Sequence, residues 1–195
     1  MSKDLIKQFK EKAEAVSAEI YYVSDTKEGI EKVLGLLKKE KKFKITTDDK
    51  IAELTAREKD KGSENVLPRW PREFKLVFPK KAEEFSKLQA ALVEADFGVA
   101  ETGTLVHLDS DFKDRWRWTL PEVCAVFLSK EKVVGNMEEL LEAFNSCLNS
   151  RNSEAQKGLP KQISFITGPS RTADIEVQLE LGVHGPLRLF IFVYG

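Results

Sequence analysis

The chain has 195 residues, 42% of them apolar and 32% charged, with a formal net charge of −1. That length suits one domain with a substantial core, and the near-neutral charge excludes a global field for nucleic acid or anionic membranes. No run of about 18 apolar residues exists to span a bilayer and no apolar leader is present, so a cytoplasmic protein is expected.

In chain order, Leu5, Ile6, Phe9, Ala13, Val16 and Ile20 recur at helical spacing against a charged face. Ile30, Val33, Leu34 and Leu37 mark a second helix, and Phe43-Lys44-Ile45 a short strand. Residues 38–44 are lysine-rich, as suits a helix end. A helix is expected over residues 51–58 and a loop over 62–71, where Pro68 and Pro71 flank Trp70. Residues 74–78 read as a strand, and Phe85, Leu88 and Leu92 as a helix. Residues 97–100 and 104–108 read as strands joined tightly through Gly103.

The interleaved Arg115-Trp116-Arg117-Trp118 follows three aspartates that cancel its field, and reads as an ordered loop with cation–π contacts rather than a single-strand binder. The apolar run 123–128 suits a strand buried on both faces. Asn136 with Glu139 resembles a capping box opening a helix with Met137, Leu140, Leu141, Phe144 and Leu148 on its apolar face. A polar loop over 150–161 leads to strands at 163–166 and 187–193. Between them, Ile175, Val177, Leu179 and Leu181 alternate as in a strand, but Thr172 as N-cap and Gly182 as terminator favour a short helix.

Strands alternating with helices imply an α/β fold: a mostly parallel sheet with helices on both faces and a ligand crevice at the C-terminal strand ends. A helical segment over 1–70, packed on an α/β core over 71–195 in what is effectively a single domain, is the expected organisation.

Three polar, glycine-bearing segments could carry chemistry. In the first, Glu101, Thr102, Gly103 and Thr104 join two strands, and Glu101 is either a desolvated base or nucleophile, or a solvated turn residue. In the second, Gly168, Pro169, Ser170, Arg171, Thr172 and Asp174 would form an anion site if a helix starts at Thr172, with Arg171 as a bidentate fork. The alternative is a turn in which Arg171 pairs with Asp174 or Glu176. In the third, His184 sits between Gly182 and Gly185 as a general base, a ligand contact or a structural histidine. His107 alternates with Val106 and Leu108 and should face a polar surface or a loop neighbour. Cys124 and Cys147, isolated and lacking paired spacing, argue against a cluster or structural zinc in this chain.

Ala100-Glu101-Thr102-Gly103-Thr104, Leu120-Pro121-Glu122-Val123-Cys124, the run from Gly168 to Glu176 and the run from Gly182 to Pro186 resemble the LUD domain family, of the lactate utilization protein C type. The resemblance covers residues 74–195; Cys124 departs from it, standing where the family commonly carries histidine. It implies a three-layer α/β/α fold like those of ribose-5-phosphate isomerase, glucosamine-6-phosphate deaminase and the CoA transferases. It also implies a role in oxidising L-lactate to pyruvate, beside iron–sulfur and cysteine-rich partner proteins that carry the clusters. The alternative it leaves is a stand-alone enzyme or binding protein for an anionic small molecule, with Glu101 and His184 as catalytic candidates.

Overall fold

A computed structural model describes residues 3–37, 43–49, 51–52, 74–109, 111–151, 160–173, 179–181 and 185–195. The expected helix over 51–58 lies mostly outside them, as does the loop over 62–71.

Helix α1 spans Lys3–Ala15 and strand β1 Glu19–Tyr22. The first helix therefore stops before Ile20, which the periodicity had placed on its apolar face. Ser17 N–H donates to Glu14 O, Ala18 N–H donates to Ala13 O, and Ser17 takes a φ of 69°. This is a Schellman-type ending with serine in the left-handed position usually held by glycine, so the stop left no glycine signal.

Helix α2 (Thr26–Leu37), strand β2 (Phe43–Thr47) and strand β3 (Phe74–Leu76) follow as expected. Helix α3 is only Ala82–Phe85, and Leu92 lies in strand β4 (Ala90–Glu94) instead of on that helix. The run Ala90-Ala91-Leu92-Val93 is fully buried on both faces, the environment of a central parallel strand. Alanine's weak strand propensity hides it in the sequence.

Strands β5 (Phe97–Val99) and β6 (Thr104–Asp109) precede helix α4 (Phe112–Thr119), which occupies the segment expected to be a loop. The preceding aspartates explain it: Asp111 accepts from the N–H groups of Lys113 and Asp114, and Asp114 accepts from Asp111 N–H, a full capping box. Strand β7 (Val123–Ser129), strand β8 (Val133–Val134), helix α5 (Met137–Arg151) and strand β9 (Gln162–Ile166) come next. At the start of α5, Glu139 N–H donates to Asn136 Oδ1 and the Glu139 carboxylate accepts from Gly135 N–H.

Strands β10 (Arg171–Ala173) and β11 (Leu179–Leu181) pair antiparallel, with Thr172 opposite Glu180. The short helix expected from Thr172 is therefore a hairpin: the two-residue alternation prevailed over the cap residues. Strand β12 (Arg188–Tyr194) ends the chain.

Among the described residues the main sheet has six strands in the order β1-β12-β7-β4-β2-β3, every pair parallel. Residues 1–70, read as a helical segment, also supply β1 and β2 to it. One face (Ala90, Leu92, Phe127, Phe190, Phe192) packs on α2 through Ile30, Val33 and Leu34. The other (Ala91, Val93, Val126, Leu128, Ile191) packs on Phe9 and Ala13 of α1, Trp118 of α4 and Leu105 of β6. The α/β class with helices on both faces is thus as expected.

Strands β5, β6 and β9 are not in the parallel sheet. They form, with β8, a second sheet in the order β8-β5-β6-β9, in which β6 is antiparallel to both neighbours. Its far face, with Val99 and Val106, is covered by Leu140 of α5.

Candidate functional site

Two of the three glycine-bearing segments meet where α1 gives way to β1. Gly103 has φ +68°, and a Cβ there would stand 2.3 Å from Ala13 N; Gly168 has φ +82°, and a Cβ there would stand 2.4 Å from Val16 O. Both positions combine a left-handed backbone with contact against main chain that cannot yield, so only glycine fits. The glycines thus dock two turns onto the end of the N-terminal helix.

The turns are joined by hydroxyls. Thr102 Oγ1 lies 2.7 Å from Thr104 Oγ1, which lies 2.8 Å from Thr167 Oγ1. Thr104 is buried, while Thr102 and Thr167 are exposed. The third segment arrives beside them. Ser170 N–H donates to Pro186 O at 2.9 Å, and a Cβ on Gly185 would stand 2.8 Å from Ser170 Cβ. Leu187 N–H donates to Glu122 O, which brings in the buried Pro121 just before β7. Ser170 Oγ has no hydrogen-bond partner among the described residues. Asp174 and His184 lie outside the described residues; for Arg171 and Thr172 only the backbone, in β10, is described.

The three segments thus meet through Thr102, Gly103, Thr104, Gly168, Ser170 and the Gly185–Pro186 pair, on the opposite rim from the C-terminal strand ends where a ligand crevice was expected. Gly185, Pro186 and Glu122 lead into β12 and β7, so the loops gather at the N-terminal ends of the parallel strands. The topological rule failed because β5, β6 and β9 belong to the antiparallel sheet, whose hairpin ends point back along the parallel strands. Two local features bear on the candidates. No helix begins at Thr172, so no helix dipole faces the Gly168 turn, whose Ser170 N–H is already bonded. Glu101 is exposed at the tip of the β5–β6 turn, its N–H donating to Gly135 O, as the solvated-turn alternative has it.

Sequence reasoning missed a polar cluster between the sheets. His107 Nδ1 lies 3.1 Å from Asp96 Oδ2, its Nε2 lies 3.6 Å from Asp109 Oδ1, and its ring stacks on buried Trp118 at 5.0 Å. Asp109, 3% exposed, accepts from Ser164 Oγ at 2.5 Å. The signal was the i, i+2 spacing of His107 and Asp109, but Ser164 joins them only through the β6–β9 register.

Cys124 is fully buried on the central strand β7; burial first, then the Asp48 carboxylate, pushes its thiol far up, which leaves it a packing residue rather than a nucleophile. Tyr194, at the end of β12, is pushed up to about 12 by burial and by Glu94, whose Oε1 lies 3.4 Å away. Among the described residues no three His, Cys, Asp or Glu side chains are grouped to hold a metal, and no helix is long and apolar enough to cross a membrane.

Comparison with known proteins places this architecture. The LUD domain family matches residues 6–194. Lactate utilization protein C 1 of Bacillus mycoides is 29% identical over 95% of this chain and 76% of its own length. Lactate utilization protein C of Halalkalibacterium halodurans is 35% identical over 54% of this chain, a stretch spanning only 44% of that relative. A crystal structure of a DUF162 family protein from Deinococcus radiodurans shares the fold with a TM-score of 0.65 and 19% identity, covering 100% of this chain and 99% of that one.

Proposed function

The chain belongs to the LUD domain family, and from that premise we propose that it is a cytoplasmic, non-redox component of an L-lactate oxidation system. The observation that carries this reading is the alignment with lactate utilization protein C 1 along 95% of the chain. In this reading the electrons pass to iron–sulfur and cysteine-rich partner proteins. The buried, strongly protonated Cys124 supports that division, because a cluster needs thiolates reachable by iron.

The meeting point of the three loops is where the organic acid would be held. The hydroxyls of Thr102, Thr104, Thr167 and Ser170 offer donors and acceptors to a short hydroxy acid, and Arg171, opening β10 beside them, supplies a guanidinium for its carboxylate. Thr172, Asp174 and His184 complete the candidate set, with His184 as the proton-handling residue and Glu101 on the rim.

Growth tests this. Deletion of the gene should abolish growth on L-lactate as sole carbon source and spare growth on glucose. Complementation with Ser170→Ala should restore lactate growth only weakly at equal protein level. Undiminished growth of the deletion strain on lactate overturns the reading. So does a purified chain carrying about four irons, the count of a [4Fe–4S] cluster held by four cysteines.

A further inference from the structure

A cavity of about 160 Å³ opens away from the motif loops, lined by Asp109, Asp111, Phe112, Arg115, Lys161 and Gln162. It lies at the first turn of α4, whereas the loops reach Thr119 at that helix's other end, about 12 Å away at 1.5 Å per residue. The lining has a division of labour. Asp109 turns its carboxylate inward to Ser164 and His107, and Asp111 spends an oxygen on the N–H groups of Lys113 and Asp114. Arg115 and Lys161, by contrast, make no ion pair among the described residues. Arg115 is nevertheless held in place: it donates to Gln162 Oε1 and lies over the Phe112 ring at 5.5 Å.

Phe112 is 65% exposed. An aromatic ring left in water beside a fixed, unpaired guanidinium and a lysine offers one surface for an apolar body and two donors for an oxyanion. The volume of about 160 Å³ holds about 11–16 waters at ~10–15 Å³ each, which limits the occupant to a molecule of that size.

We propose that this cavity is a second binding site, for a small flat molecule bearing one carboxylate or phosphate, with the oxyanion against Arg115 and Lys161 and the body against Phe112. It stands independently of the lactate reading, because none of its residues belongs to the motif loops.

Calorimetry with benzoate, phenyl phosphate and neutral benzamide tests it. At least one anion should bind saturably and benzamide should not; whichever anion binds more tightly identifies the oxyanion. Arg115→Met and Lys161→Met should each weaken binding at least tenfold, and Phe112→Ala several-fold, with circular dichroism unchanged; Lys161 and Phe112 are exposed, so their variants stay folded. Thr104→Val, in the motif loops, should leave it unchanged. Absence of saturable binding by either anion, equal binding of benzamide, or unchanged binding by Arg115→Met and Lys161→Met overturns the proposal. A loss in Thr104→Val equal to that in Arg115→Met also overturns it, by moving the ligand to the loops.

Discussion

The two sheets of this protein are held by different physics. The centre of the parallel sheet is apolar on both faces: Leu92, Phe127, Phe190 and Phe192 are 0% exposed, and Phe127 stacks on Phe192 at 5.4 Å. Its polar exceptions include Thr46 and Thr47, which bury hydroxyls without partners among the described residues. The mixed sheet instead buries polar and charged groups on its inner face beneath Trp118, where His107 Nδ1 meets Asp96 and Ser164 Oγ donates to Asp109, while His107 Nε2 and Asp109 Oδ1, 3.6 Å apart, make no hydrogen bond among the described residues. The first sheet is stabilised by the amount of surface buried, the second by pairing. Damage to the first should therefore scale with lost volume, and damage to the second with orphaned partners.

The largest effect should come from the parallel sheet. Phe127→Ala removes a fully buried ring between β12 and α2 and should cost about 3–5 kcal/mol in urea unfolding, transfer and cavity terms together. A cost below that of Asp109→Ala would break the comparison.

Asp109→Ala should cost about 1–3 kcal/mol, because it removes the acceptor of Ser164 Oγ and strands that hydroxyl. Adding Ser164→Ala to that variant should recover part of the loss. Additive losses would show that the pair is not coupled.

The smallest effect concerns pH. Tyr194 is raised to about 12 from an ordinary value of 10, through burial and then Glu94. A group whose folded pKa is raised stabilises the fold fully below the unfolded value and loses that contribution as pH rises through the folded one. Stability should thus fall between about pH 10 and 12, and Tyr194→Phe should flatten that fall. Titration of phenolate absorbance checks it: the variant should lose the component near pH 12.

What could be read from the residues alone was whatever rests on local pattern. The run at β7, the amphipathic α2, the capping residues of α5 and the tight turn at Gly103 follow from periodicity and glycine chemistry, and the motif strings pointed to the LUD domain family. Terminators were less legible, since Ser17 ends α1 in a conformation that glycine usually signals. The capping box at Asp111 was present in the sequence but looked like neutralising charge.

What only the tertiary structure decided was pairing. The sequence cannot say that β5, β6 and β9 leave the parallel sheet, because strand direction depends on partners distant in the chain. That one choice carries the motif loops to the N-terminal rim, sets Gly103 and Gly168 against the end of α1, and brings Ser164 to Asp109. Residue types thus told which side chains were suited to chemistry. Long-range hydrogen bonding between strands determined which of them meet.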